Sequence, residues 1–334
     1  MTRIYVATGD ALAVIARDGA GWRASLELVG KHTYCLAADP GRPERVYCGT
    51  FGQGLWRSDD AGASWQPVGA GIASEAVMSV AVGQDGVVWA GTEPSMLYRS
   101  DDGGATWTAC PGLAELPSAS TWSFPPRPWT HHVRWITPDP RGGDRVVVGI
   151  ELGGVMRSLD GGATWEDRKP GSQPDAHTLA VHPGAPERLY EAAGGGFAET
   201  RDGGESWRGR DAGLTWRYLW GLAVDPGDPD VLVVSASPGP REAHDPRSAR
   251  ALLHRRAGDG DWQPVTDGLP PERGTRGYVL AANAAEPGVF YATPHDARVH
   301  RSADGGRSWR PLAIGWPDGY QAADGNALLV TEAA

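Results

Sequence analysis

Five segments of this 334-residue chain align without gaps: Ser58-Asp-Asp-Ala-Gly-Ala-Ser-Trp65, Ser100-Asp-Asp-Gly-Gly-Ala-Thr-Trp107, Ser158-Leu-Asp-Gly-Gly-Ala-Thr-Trp165, Thr200-Arg-Asp-Gly-Gly-Glu-Ser-Trp207 and Ser302-Ala-Asp-Gly-Gly-Arg-Ser-Trp309. The shared pattern is Ser/Thr-x-Asp-Gly/Ala-Gly-x-Ser/Thr-Trp. Two worn copies, Arg17-Asp-Gly-Ala-Gly-Trp22 and Gly258-Asp-Gly-Asp-Trp262, fill the gaps. Successive tryptophans lie 43, 42, 58, 42, 55 and 47 residues apart. Seven units of about 48 residues therefore account for the chain, and a period of that size marks a repeat architecture.

The repeated segment has the chemistry of a hairpin turn. Its Asp can accept backbone N–H bonds, its Gly residues supply positive φ, and its hydroxyls can close the loop. The Trp then buries a large ring against a neighbouring sheet. These aspartates read as structural, not as catalytic or calcium-binding groups. Gly (47) and Pro (27) make up about a fifth of the residues, so turns are frequent and long helices are not expected.

The motif resembles the Asp box, or BNR repeat, and the likeness runs over essentially the whole chain. The resemblance implies an all-β fold: a seven-bladed β-propeller of four-stranded antiparallel blades, forming a single domain over 1–334. Its other members include sialidases and further glycosidases, photosystem II assembly factors and sortilin-type receptors, so fold alone leaves function open. The sialidase Phe-Arg-Ile-Pro motif is absent; Arg3-Ile4-Tyr5 stands in a similar place without the Phe or Pro. That argues against sialidase activity, and no sialidase residue is carried over.

The blades are expected at 1–28 plus 320–334, then 29–70, 71–113, 131–170, 175–212, 217–267 and 275–315. The first unit lacks an innermost strand, whereas Asn326-Ala-Leu-Leu-Val330 is an apolar strand without a unit. It is expected to complete blade 1 and close the ring, which leaves no free edges at the seam. In a four-stranded meander the Asp boxes occupy the turns between third and fourth strands, on one face. The two long intervals carry insertions at 110–129 and 237–250, both on the opposite face. Long loops in a compact repeat are usually functional or disordered.

Polar side chains gather on that same face. His32, His131, His132, His177, His244 and His295 fall in or beside its loops, as do Tyr34, Arg134, Arg217, Tyr218, Arg241, Arg273, Arg276 and Tyr278. Glu93, Glu151, Asp175, Glu242 and Asp296 add carboxylates, and Trp122, Trp129 and Trp220 lie outside the Asp boxes. Innermost strand starts surround the propeller axis, so these groups can converge on one funnel. Glu151, His177 and His131 are the candidates for proton transfer. His32, Tyr34, Glu93, Arg134, Arg217, Trp220, Arg241, His244, Arg276, Tyr278 and His295 are the candidates for substrate binding.

The expected activity is that of a hydrolase or lyase, glycosidase-like, acting on an anionic or polyhydroxyl small molecule or glycan. Two alternatives stand beside it. One is a non-catalytic scaffold that binds a protein partner. The other is a divalent-metal site built from His and Glu of separate blades, since no His-x-His or His-x3-His spacing is present. No metal ligand is assigned, and the cofactor is unknown. A net charge of −10 disfavours nucleic acid and anionic membrane as partners. Three cysteines cannot form a disulfide framework, and the start, MTRIYVATGD, shows no signal-peptide pattern, so a cytoplasmic location is expected.

Overall fold

The computed structural model describes residues 1–124, 130–322 and 324–332. They form seven antiparallel sheets around a common axis. From the inside out, blade 2 runs Thr33–Asp39, Arg42–Thr50, Leu55–Ser58 and Gln66–Pro67. The other innermost strands are Val77–Val82, Val133–Pro138, Ala176–His182, Tyr218–Asp225, Tyr278–Ala282 and Ala327–Glu332. The last pairs antiparallel with Thr2–Ala7, from Thr2 opposite Glu332 to Ala7 opposite Ala327, so the two ends of the chain close the ring in blade 1. Blade 4 has three full strands, and its fourth is reduced to a bridge between Arg157 and Glu166. Blade 1 gains an outer strand, Ile314–Gly315, parallel to Gly21–Glu27. Among the described residues no helix is long and apolar enough to cross a membrane.

Each Asp box closes on itself. Ser100 Oγ donates to Asp102 Oδ1 at 2.8 Å and accepts from the Gly104 amide at 2.8 Å. Asp102 accepts the Thr106 amide at 2.8 Å and its hydroxyl at 2.6 Å. Those bonds hold the Asp102 carboxyl down at about 2, the Thr106 hydroxyl contributing most. The same pattern recurs at Asp60, Asp160, Asp202 and Asp304. All five carboxylates are spent on their own turns. The tryptophans are less uniform than the motif: Trp262 and Trp309 are buried, whereas Trp65, Trp107 and Trp165 are only half-buried.

The core lies between blades. Tyr47 and Leu55 of blade 2 pack with Val77, Val88 and Tyr98 of blade 3 in one apolar layer, and similar layers recur around the ring. Arginines next to the boxes clasp neighbouring blades. Arg57 donates to the Gly103 carbonyl at 2.7 Å, Arg99 to Gly161 at 3.2 Å and Arg157 to Gly203 at 3.1 Å. These three boxes therefore each present a backbone acceptor to the blade before them.

Candidate functional site

Five of the innermost strands break register near the ends that meet on the face opposite the Asp boxes. The shifts fall between Thr33 and Cys35, Val77 and Ser79, Val133 and Trp135, Ala176 and Thr178, and Leu219 and Leu222. The residues left without a ladder partner are Tyr34, Met78, Arg134, His177, Trp220 and Gly221. A bulge bends the strand and re-aims the extra side chain. A glycine opposite makes room: at Gly91, a Cβ would stand 2.4 Å from Ser79 Oγ and 2.6 Å from Val133 Cβ. This repeated defect turns ladder positions into groups aimed at the axis.

A cavity of about 520 Å³ opens there. Arg134, buried, lies 4.6 Å over the Trp220 ring and 5.7 Å from that of Tyr34. This stack separates the cavity from a smaller apolar one, of about 120 Å³, running down the axis past Ile136, Leu222, Leu280 and Leu328. Both insertions reach the upper cavity, Phe124 from the first, and Pro240 and His244 of the short helix Pro240–His244 from the second.

One wall carries Glu151 and Asp175, with His177 behind them. Glu151 Oε2 is 3.0 Å from His132 Nε2 and 3.6 Å from Arg134 Nε. Burial would raise the Glu151 carboxyl, but the His132 hydrogen bond and the charges of His177 and Arg134 outweigh it, and it falls to about 2. His132 bridges on to Glu93, with Nδ1 3.4 Å from Oε2. His177 is 1% exposed, with Nδ1 2.6 Å from the Leu219 carbonyl and Nε2 3.4 Å from Asp175 Oδ2. Burial works against its charge, yet Asp175 and Glu151 raise its pKa on balance.

The facing wall holds a second set. Tyr218 Oη lies 3.0 Å from His244 Nε2. Burial first, then the nearness of His295 and His177, pushes His244 down to about 3, so its imidazole is neutral at pH 7. Burial, with Glu151 and Asp175 adding to it, raises the Tyr218 hydroxyl. His295 Nδ1 donates to Asp324 Oδ1 at 2.7 Å, and Arg276 reaches the same oxygen at 3.2 Å. Tyr218 and His244 thus form a neutral hydrogen-bonded pair beside an ionised carboxylate.

Of the sequence candidates, Tyr34, Glu151, Trp220, His244, Arg276 and His295 line this cavity. His177, Arg134 and Glu93 sit directly behind its walls, the first two joined to lining residues and Glu93 joined to His132. The structure does not bring the others there. His131 packs on the Trp122 ring at 5.4 Å and does not line the cavity. His32 is exposed at a positive φ, and Arg241 is exposed on the insertion. Arg217 is 71% exposed and turns to Asp211. Tyr278 is buried in the layer between blades 6 and 7. Trp129 lies outside the described residues. Sequence reasoning did not single out Leu152 or Asp324, and it left His132, Asp175 and Tyr218 among the supporting groups. Closeness in sequence to Glu and Arg candidates was no guide, because each bulge shifts which neighbour faces inward.

The BNR/Asp-box repeat family model matches residues 98–109. No curated protein sequence matches the chain. Among solved structures, an ancestral GH74 enzyme is similar with a TM-score of 0.62 at 18% identity, over 80% of this chain and 36% of its own. This chain thus spans about a third of that enzyme's length. YCF48 bound to D1 peptide is similar with a TM-score of 0.60 at 16% identity, over 89% of this chain and 90% of its own. The WD40 propeller domain of Doa1 follows at 0.58 and 11% identity, over 92% and 91%. At such identities the likeness is one of fold.

Proposed function

We propose that this chain, an Asp-box β-propeller, is a hydrolase or lyase whose substrate is a polyhydroxyl small molecule or glycan held in the cavity opposite the boxes. The observation that carries this reading is convergence. Glu151, Asp175, Tyr218, His244, His295 and Asp324 come from separate strand ends and loops, and all face one open cavity floored by aromatic rings. Rings that stack on sugar faces, with carboxylates and imidazoles that bond hydroxyls, suit a polyhydroxyl ligand. The anionic ligand also expected from sequence finds less support. Among the described residues three carboxylates line the space, the one arginine there is already paired with Asp324, and Arg217 turns to Asp211. Glu151 supplies a fixed negative charge, and the Tyr218 hydroxyl, hydrogen-bonded to the neutral His244, is the group placed to pass a proton to or from the substrate.

The test is a panel of glycosides and uronides, screened first by thermal shift and then for turnover. Tyr218→Phe removes only the hydroxyl, so we expect kcat to fall by about 100-fold or more with KM and melting temperature nearly unchanged. A panel with no binder, or a Tyr218→Phe variant of full activity, sinks the catalytic reading. The scaffold alternative draws on Phe124, Leu152 and Pro240 at the cavity, apolar groups that a peptide could cover. Peptide binding blocked by substitution at Phe124, without glycoside turnover, would favour it.

A further inference from the structure

The chemistry proposed above uses Glu151 only as a fixed anion and gives Asp175 and His177 beside it no task. Each directs one ligand atom to a common place, all within 4.8 Å of one another. The decisive detail is the His177 tautomer. Its Nδ1 faces the Leu219 carbonyl oxygen at 2.6 Å, and a carbonyl only accepts, so Nδ1 carries the proton. Nε2 is thereby left facing the carboxylate oxygen of Asp175 at 3.4 Å, in a position 1% exposed. A divalent cation seated there would take the place of a proton on Nε2 and meet the same donor atoms.

The rest of the wall is braced from behind. His132 Nε2 meets Glu151 Oε2 at 3.0 Å. The Leu152 amide donates to Asp175 Oδ1 at 3.3 Å, aimed by a backbone with φ of 52°, a conformation rarely kept without a reason. At Gly194 a Cβ would lie 2.1 Å from Asp175 Oδ2, so only bare backbone leaves that carboxylate its place. Each ligand thus has a partner orienting its other side, as outer-shell groups do at metal sites.

We infer that Glu151, Asp175 and His177 bind one divalent first-row cation, of the Mn²⁺ or Zn²⁺ kind, through two carboxylate oxygens and Nε2. Mixed oxygen and imidazole donors suit these ions, and three protein ligands leave positions open. Glu151 and Asp175 line the cavity, so those positions face its contents. The inference rests on the reading of the cavity as the ligand site and gives it a further means of gripping the substrate: neighbouring hydroxyls would coordinate the ion.

Metal-stripped full-length protein would be titrated with Mn²⁺, read by loss of the free-ion paramagnetic resonance signal, and with Zn²⁺ by calorimetry. We expect one ion per chain, and at least a ~100-fold weaker affinity in Asp175→Asn and Glu151→Gln. Because a variant in this wall could misfold, the wild-type ¹⁵N resonances of His177 give an independent readout: Zn²⁺ should shift Nε2 while Nδ1 keeps its proton. No uptake at millimolar metal, unchanged affinity in folded Asp175→Asn, or both His177 nitrogens still protonated at saturating Zn²⁺ would each overturn the site. Cation uptake without glycoside binding would support the site and count against the polyhydroxyl reading alone.

Discussion

Glu191 shows how far burial moves a single group in this propeller. It sits on the second strand of blade 5, at 0% exposure. One carboxyl oxygen accepts the Gln173 amide at 3.0 Å. Burial raises its pKa to about 8, the Gln173 amide opposes the rise, and the nearby charge of Asp175 adds to it. In the unfolded chain the group returns to an ordinary value near 4.5. Between those values the native state keeps a proton that the unfolded state has lost. Stability from this group is therefore whole below about pH 4.5 and drains away as pH rises towards 8, by a few kcal/mol in total. Glu191→Gln should match the wild type at pH 4.5 and exceed it above pH 8 in chemical denaturation carried out in EDTA. Parallel stability curves for the two proteins would refute this account. The same scale explains His177. Its residue type and place drew notice from sequence, but its depth, and hence its partners Leu219 and Asp175, follow from packing against blade 6.

At the scale of strands and turns, the Asp boxes and the bulges behave differently. A box is local: hydroxyl, carboxylate and glycine within eight residues satisfy one another, so its structure could be read from the pattern. A bulge is a contact between strands. Its place depends on what the strand opposite and the next blade allow, so Arg134 and His177 could not be assigned an orientation by alternation along the chain. The glycines opposite the bulges were the available signal. Gly49, Gly91 and Gly149 recur near the ends of second strands, and a side chain there would crowd the neighbouring blade. Gly91→Ala should cost about 1–3 kcal/mol as overpacking against Ser79 and Val133, measured by denaturant midpoint. A neutral substitution would mean that the blades yield more readily than close-packed layers should. The insertions were legible in part. Their face followed from which turn they lengthened, and Phe124, Pro240 and His244 do reach the cavity, but the exposed Arg241 beside them does not.

For the whole molecule, ring closure is the central cooperative feature. The pairing of Ala327–Glu332 with Thr2–Ala7 joins the two ends, and Leu328 and Val330 are buried in the layer between blades 7 and 1. Removing residues 321–334 would expose both that layer and the free edge of Thr2–Ala7. We expect loss of the single cooperative unfolding transition and of soluble monomer, followed by calorimetry and size-exclusion chromatography. A soluble truncated protein with a sharp transition would show that the seam is dispensable. Full-length protein should instead melt as one unit, because each apolar layer is shared by two blades.

The amino-acid sequence alone determined the repeat, the number of blades, the self-contained turns, the closing strand and the face on which the loops grow. All of these follow from contacts near in sequence or from counting a period. Tertiary structure alone decided which polar groups meet. Register shifts in five inner strands and packing between blades chose His132 over His131, Tyr218 over Arg217, and Asp324 from the far end of the chain. The physical reason is that side-chain direction in a strand alternates residue by residue, so one unpaired residue, placed by contacts dozens of positions away, reverses what faces the axis.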